Sequence, residues 1–250
     1  SGLPADGGAP AGVAVRAVMA LTFAGLKRGL LAAPGDGLAG RVSVIPIGVP
    51  EAEVARGVST FLLEARDVAP HFPPRARAAH KGTYGHLLLV AGSLGKTGAA
   101  ALGAASAMRS GSGLVTVATP ASQQPIVAAH VLEAMTEPLP ETPAHTLALK
   151  AREVIAELAA PRDAVAIGPG LGLEDETRQV VRSLIEKLDK PMAVDADALT
   201  ALVGHLELLR AAPRARCLTP HPGEMARMLG VGVSDVQQDR LETARAFATR

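Results

Sequence analysis

Small glycine-rich and acidic clusters follow successive apolar runs of the sequence, and they hold most of the side chains that could bind a ligand. The first runs from Ala91-Gly92-Ser93 through Lys96-Thr97-Gly98 to Ala99. Its glycines permit close backbone approach, and amides at a helix N-terminus favour an anion or a ligand oxygen. The Gly-Lys-Ser/Thr frame of a P-loop is missing. Taken alone, this cluster fits an ordinary strand-to-helix turn equally well.

The second cluster, Gly168-Pro169-Gly170-Leu171-Gly172, directly follows the apolar run AVAI. Three glycines stiffened by a proline predict a turn where a bulky ligand can lie against the backbone, although a purely structural turn is the alternative. The spacing is not GxGxxG, so the dinucleotide fingerprint does not apply.

The third cluster places two carboxylates, Asp195 and Asp197, where a predicted strand ends. We expect Asp197 to cap the helix that follows, through the free amides of its first turn. Capping explains one aspartate better than two. Paired carboxylates at this position also suit a ligand hydroxyl or a hydrated magnesium ion, with Asp195 as the stronger candidate.

The fourth cluster, TPHPGEM, holds His221 between Pro220 and Pro222, with Glu224 in the first turn of the next predicted helix. A histidine clamped in this way is a better ligand candidate than an isolated one. Glu224 suits two roles: it complements the helix dipole, or it orders magnesium-bound water near a phosphate. A fifth cluster, HKGTYG, precedes the first strand of the series, and Tyr84 packing on the sheet edge explains it equally well.

The apolar runs that carry these clusters alternate with helical stretches, which predicts βαβ units and a parallel sheet covered on both faces. The predicted strands are 42–49, 86–91, 114–118, 164–167, 192–195 and 216–219. The predicted helices are 51–65, 98–110, 146–159, 174–188, 223–229 and 234–249. Ligands of such sheets bind outside the carboxyl ends of the strands, so the clusters together indicate a small-molecule site.

Composition narrows the class of protein. Hydrophobic residues make up 48% of the 250 residues but aromatic residues only 2%, so Ala, Val, Leu and Gly must build the core. The net charge of +1 offers no basic surface for nucleic acid. The single cysteine, Cys217, cannot form an intramolecular disulfide, and no apolar run is long enough to span a membrane. We expect a cytoplasmic protein.

The residues of these clusters resemble the sequence motifs of a known protein family. HKGTYGHLLLVAGS, TGAA, MRSGSGLV, AIGPGLG, DADAL and LTPHPGEM, in this order from about residue 72 onward, are similar to the motifs of NAD(P)H-hydrate dehydratases. The resemblance implies a ribokinase-like three-layer α/β/α fold with a mostly parallel sheet. It also implies a substrate, NADHX or NADPHX, that is a nicotinamide cofactor hydrated at C6, with ADP or ATP as co-substrate and Mg²⁺ as cofactor.

The resemblance also implies site residues. Ala99, Gly172 and His221 match positions that contact the hydrated cofactor, and we add Gly170 and Asp195 as further binding candidates. Glu224 matches the acidic position that organises magnesium and phosphate in ribokinase-like kinases. The resemblance also implies a homo-oligomer, a tetramer or larger.

Residues 1–50 resemble a second domain that is commonly fused before the first. Ser1-Gly2-Leu3 and the segment LTFAGLKRGLL are similar to the final part of a Rossmann-like NAD(P)H-hydrate epimerase domain, with Arg28 where that family usually has proline. Ser1 matches a potassium-coordinating position there. We therefore predict an epimerase segment in residues 1–50, a connecting segment in 51–69 and the dehydratase domain in 70–250.

One family motif is not found in this sequence. Ribokinase-like enzymes carry a Gly-Gly-x-Gly-Asp turn that supplies an anion hole and a catalytic base, and none occurs here. We expect the base and most of the ADP site to lie beyond Arg250. Two alternatives stay open: a kinase for a thiazole or pyridoxine alcohol, and a non-catalytic ligand-binding module.

Overall fold

The computed structural model describes residues 2–10 and 12–250, which fold as two compact units. One consists of the described residues of Ser1–His71 together with Val231–Arg250, and the other is Phe72–Gly230. The functional division of the chain at residues 50 and 69 remains a prediction.

The first unit contains a pair of parallel strands, β1 and β2, that align Met19 with Arg41. Its elements are β1 Met19–Phe23, α1 Arg28–Leu31, α2 Asp36–Ala39, β2 Arg41–Ile45, α3 Glu51–Val54, α4 Ala65–Val68, α12 Val233–Gln238 and α13 Arg240–Ala248.

Several predicted elements of this unit are shorter in the structure. The strand from Val42 ends at Ile45, before Pro46, because proline cannot donate to a ladder. The helix predicted over 51–65 is confined to α3, and Gly57 beyond it has a φ of 75°. The helix predicted over 234–249 is divided at Asp239, whose carboxylate instead accepts from the Glu242 amide (2.9 Å) and begins α13.

The second unit is built on a six-stranded parallel sheet with the strand order β5-β4-β3-β6-β7-β8. Its strands are β3 His86–Val90, β4 Leu114–Pro120, β5 Met135–Leu139, β6 Ala164–Ile167, β7 Met192–Val194 and β8 Arg216–Leu218. Its helices are α5 Thr97–Arg109, α6 Gln124–His130, α7 Ala151–Ala159, α8 Asp175–Lys187, α9 Asp197–Ala201, α10 Glu207–Ala211 and α11 Pro222–Leu229.

Small residues allow the helices to lie close to the centre of this sheet. Leu88 and Leu89 point to opposite faces of β3, and both are buried, so helices cover the sheet on both sides. On one face, α5 places Ala100 and Ala104 against Leu89 in a cluster of buried apolar residues. A side chain on Gly103 would put its Cβ 3.0 Å from Leu89. Ala, Val and Leu make up most of the buried apolar residues, as predicted, but Ile155, Ile167 and Ile185 are fully buried as well.

Two elements of the sheet's β5 side were not predicted. β5 contains Pro138, which normally argues against a strand, but β5 is an edge strand and tolerates a missing donor. α6 begins at Gln124 and has Pro125 at its second position, where the missing amide donor has no helical partner to lose. The helix predicted from Thr146 begins only at Ala151, because Thr146 belongs to a tight turn with Thr142.

Candidate functional site

The site lies where the strand order reverses. From β3 the chain adds β4 and β5 on one side, then crosses to add β6, β7 and β8 on the other, so β3 and β6 are neighbours at a topological switch point. The first two clusters meet there: the Gly92 amide donates to the carbonyl of Pro169 (2.9 Å), and the Ser93 hydroxyl donates to that of Gly170 (2.7 Å).

Close packing of backbone explains why this turn needs glycine. Gly170 and Gly172 have φ values of 68° and 85°, in the region that favours glycine. A Cβ on Gly170 would lie 2.9 Å from Cβ of Lys96 and 3.2 Å from Cβ of Ala99, in the first turn of α5. Ala99 and Gly170 are therefore neighbours, and Gly172 follows in the same turn.

Asp197 does not cap a helix, contrary to our expectation. It is the first residue of α9, and its Oδ2 accepts instead from the Gly172 amide (2.8 Å) and from Nζ of Lys96 (3.2 Å). The chain turns sharply before α9, at Ala196, whose φ is 51°. This turn directs the Asp197 side chain toward Gly172 and Lys96. Asp197 thus ties the glycine turn to the loop before α5.

Asp195 connects the carboxyl ends of β7 and β8. It follows β7, where its amide donates to the carbonyl of Ile167 (3.0 Å) and its Oδ1 accepts from the Thr219 hydroxyl (2.8 Å). Thr219 follows β8 directly. The carboxylate is partly exposed and stands beside the glycine turn, in the position expected for a residue that contacts a ligand.

His221 and Glu224 form a capping box at the start of α11. The Gly223 amide donates to Nδ1 of His221 (3.0 Å), and the His221 amide donates to Oε2 of Glu224 (2.9 Å). Nδ1 therefore lacks a proton in the neutral ring, so Nε2–H faces Oε1 of Glu224 at 3.3 Å. The His221 side chain is 63% exposed and that of Glu224 only 10%. Prolines and caps thus fix the backbone and leave the imidazole open to a ligand.

The fifth cluster lies at the amino end of β3, on the opposite side of the sheet from the carboxyl ends that carry the other clusters. Lys81–Tyr84 forms a short 3-10 helix before β3, and the Tyr84 carbonyl accepts from the Gly113 amide at the start of β4 (3.0 Å). Arg75 stacks over the Tyr84 ring at 4.2 Å. This cluster therefore stays apart from the other four.

Two predictions concern metal ions: potassium at Ser1 and magnesium near Glu224. Ser1, the potassium candidate, lies outside the described residues. Among residues 2–10 and 12–250 no group of three His, Cys, Asp or Glu side chains is placed to hold a metal ion directly.

Sequence reasoning missed a polar cluster on the β5 side of the switch point. Ser122, Glu141 and His145 follow β4 and β5 and are joined by hydrogen bonds of 2.8–3.1 Å. No local motif marks them, because Ser122 lies 19 residues before Glu141 and β5 itself was not predicted.

This sheet, with its polar clusters at the carboxyl ends of the strands, defines an α/β protein with a ribokinase-like fold. A ribokinase-like superfamily protein from Enterococcus faecalis shares the fold with a TM-score of 0.57 and 21% identity, covering 70% of this chain and 58% of that one. A family model described as NAD(P)H-hydrate dehydratase matches residues 87–250. The chain therefore belongs to the NAD(P)H-hydrate dehydratase family.

Relatives with higher identity agree. The chain is similar to the ADP/ATP-dependent NAD(P)H-hydrate dehydratase of Bacillus subtilis, crystallised with ATP and Mg²⁺, at 34% identity and a TM-score of 0.60, covering 73% of this chain and 61% of that one. It is 43% identical over 99% of its length to the bifunctional NAD(P)H-hydrate repair enzyme of Moorella thermoacetica. The Escherichia coli enzyme of the same name is 32% identical over the whole chain. The chain spans about half the length of these curated relatives, 47% and 45%.

Proposed function

We propose that this protein dehydrates NADHX and NADPHX with ADP or ATP as phosphate donor. The phosphoryl group passes to the 6-hydroxyl of the hydrated ring, and loss of phosphate together with a ring proton restores NADH or NADPH. One observation carries the proposal: four polar clusters, distant in sequence, follow the carboxyl ends of the successive strands β3, β6, β7 and β8 in a sheet whose family is the NAD(P)H-hydrate dehydratases.

The side chains at the switch point divide the work of binding. Ala99, Gly170 and Gly172 are each partly exposed, so a flat ring can lie against the backbone of this turn. Asp195 offers a carboxylate to a substrate hydroxyl, and His221 offers an exposed imidazole held in one orientation. These groups position the substrate hydroxyl toward the phosphate donor, which is the main requirement of phosphoryl transfer.

Glu224 fits an indirect role with magnesium. Its Oε2 is occupied by the His221 amide, and no second carboxylate joins it in the described part of the chain, so it does not form a closed metal cage. Mg²⁺ usually keeps several waters and binds to substrate phosphates with few protein ligands, and Glu224 can accept from one of those waters. The metal would supply charge neutralisation at the phosphates.

The wider activities of the protein are further proposals. We propose that residues 1–50 end an epimerase domain that uses K⁺, that 51–69 connect it to the dehydratase domain, and that the enzyme is a cytoplasmic homo-oligomer. The parallel pair β1–β2 suits the end of a Rossmann-like sheet. No helix in the described residues is both long and apolar enough to cross a bilayer.

The deciding experiment incubates the full-length protein with hydrated cofactor, Mg²⁺ and either ADP or ATP, and follows the absorbance of restored NADH. We expect restoration that depends on the nucleotide and releases one phosphate for each NADH formed. Accumulation of a stable phosphorylated substrate would instead identify a small-molecule kinase. Binding without turnover would identify a ligand-binding module.

A further inference from the structure

Ser122, Glu141 and His145 form a hydrogen-bonded cluster on the β5 side of the switch point, here called the β4–β5 cluster. Both the amide and the hydroxyl of Ser122 donate to Oε2 of Glu141, at 3.0 and 2.8 Å. Nδ1 of His145 lies 3.1 Å from Oε1 of Glu141 and 3.1 Å from the Ser122 hydroxyl. The side chains of His145 and Glu141 are 41% and 22% exposed, so the cluster is open to solvent.

The hydrogen bonds determine what this cluster can accept. Burial acts to raise the pKa of Glu141, but hydrogen bonds from Ser122 and His145 outweigh it and lower that pKa, so the carboxylate is ionised at neutral pH. A carboxylate only accepts, so Nδ1 of His145 carries the proton in their bond. Nε2 of the neutral ring is then a free acceptor, and it faces no partner of its own among the described residues.

The backbone at His145 is held in an uncommon conformation beside the main site. Its φ is 56°, in the left-handed region, where a non-glycine residue costs of the order of 1 kcal/mol or more. The His145 carbonyl accepts from the Leu94 amide (3.4 Å), in the loop after β3. Thr146, the next residue, is the side chain that a Cβ on Gly172 would meet at 2.9 Å. The β4–β5 cluster is thus contiguous with the glycine turn.

The chemistry of the cluster favours a neutral donor over a phosphate. No lysine or arginine takes part in the hydrogen bonds that the described residues make to its three side chains, and Glu141 repels an anion. Dinucleotides lie across a switch point with one half on each side, and a carboxylate commonly binds the ribose hydroxyls. The end of β4 is only one strand spacing, about 4.8 Å, from β3. A dinucleotide seated on the β3–β6 turns therefore reaches this cluster.

We propose that Ser122, Glu141 and His145 bind the hydroxyls of the adenosine ribose of the hydrated dinucleotide, while its nicotinamide half occupies the glycine-turn and His221 side. The proposal rests on the proposed function. It makes Glu141 and His145 specificity-determining residues, since the carboxylate accepts from a ribose 2′-hydroxyl but repels a 2′-phosphate. NADHX is therefore expected to be preferred over NADPHX.

The test compares Glu141→Gln and His145→Asn with two matched controls, Glu133→Gln and His130→Asn. Asparagine tolerates the left-handed backbone, and both control residues are exposed and lie before β5, at the opposite end of that strand from Glu141. The cluster variants should raise KM for NADHX about tenfold, the loss of one hydrogen bond to a charged group, with kcat, KM for ADP and melting temperature nearly unchanged. The controls should change none of these.

A shortened substrate separates binding from structure. With hydrated nicotinamide mononucleotide, which lacks the adenosine half, wild type and cluster variants should have equal KM. Equal KM with the dinucleotide, a matching rise with the mononucleotide, or a rise confined to ADP would each overturn the proposal. Should the wild type fail to dehydrate either substrate, the proposed function fails instead. Titration with NADH then decides the subsite: weaker binding by Glu141→Gln supports it, and equal binding refutes it.

Discussion

His221 has two roles to separate, because its Nδ1 caps a helix while its ring faces solvent. We predict that His221→Ala raises KM for the hydrated cofactor severalfold and lowers stability by about 1 kcal/mol, the usual worth of a cap. His80 is the matched control, because its Nδ1 accepts from the Gly82 amide in a similar capping box. That box lies at the amino end of β3, away from the site. Steady-state kinetics should show a KM effect for His221→Ala and none for His80→Ala. Equal KM in both variants would leave His221 as a cap alone.

The variant Glu224→Gln separates the effect of the negative charge of Glu224 from its role in the capping box. A glutamine oxygen can still accept from the His221 amide, since either Glu or Gln completes a capping box. We expect kcat to fall at least tenfold, about 1.4 kcal/mol of barrier, because the negative charge acts on magnesium-bound water during phosphoryl transfer. The melting temperature should stay close to that of the wild type. Unchanged turnover would mean that Glu224 serves only the helix terminus.

Among the elements, the turn after β6 is the most tightly constrained. Gly168 has a φ of 131°, and a Cβ there would lie 1.8 Å from the carbonyl oxygen of Asp195. We expect Gly168→Ala to destabilise the protein by about 3 kcal/mol or more, because both turns must move apart. Gly98 in α5 has open space around it, so Gly98→Ala should instead be neutral or stabilising. Urea unfolding of both variants checks this; similar stability of the two would contradict the packing of the turn.

Arg216 attaches the edge strand β8 to the end of α8. Its guanidinium donates to the carbonyls of Ile185, Leu188 and Lys190 at 2.7–2.9 Å, which lie at the end of α8 and just beyond it. We expect Arg216→Ala to cost about 2 kcal/mol of unfolding free energy.

Arg214 provides the control for that variant. It makes an exposed ion pair with Asp189 (2.7 Å), and such pairs contribute under about 1 kcal/mol. Denaturant titration of Arg214→Ala should therefore resemble the wild type. Loss of equal stability in both variants would show that the carbonyl contacts of Arg216 contribute little.

For the whole molecule, His86 makes stability depend on pH. Burial, and then the positive charge of Arg162, lower its pKa below the ordinary value of 6.5, against the opposing effect of Asp163. As the pH falls, His86 therefore binds a proton in the unfolded chain at a higher pH than in the folded protein. This contribution is fully present above 6.5 and is lost as the pH falls below it.

The measurement is the free energy of unfolding at about pH 7.5 and about pH 5.5, a window chosen around that ordinary pKa. The wild type should lose stability between the two, and His86→Gln should lose less. Glu141 does not contribute here, because its lowered pKa makes it sensitive only in more acidic solution. An equal loss in wild type and His86→Gln would assign the pH dependence to other groups.

The sequence by itself determined the elements whose signals are local. Apolar runs flanked by glycine and proline located β3, β4 and β6 to within a few residues, because a buried parallel strand must be apolar throughout. The glycine turns and the Pro-His-Pro segment were evident as well, since they depend on backbone preferences of neighbouring residues. Their motifs also pointed to the family that the comparisons show.

Only the tertiary structure decided which of these residues meet. Asp197 was expected to cap its own helix, yet it accepts from Gly172, 25 residues away, and from Lys96, 101 residues away. β5 escaped prediction because Pro138 is tolerated only on an edge strand, and the edge is a property of the assembled sheet. Ser122 likewise becomes a neighbour of Glu141 and His145 only when β4 and β5 pair. Hydrogen bonds between distant turns depend on how strands are ordered, and no spacing within a short segment encodes that order.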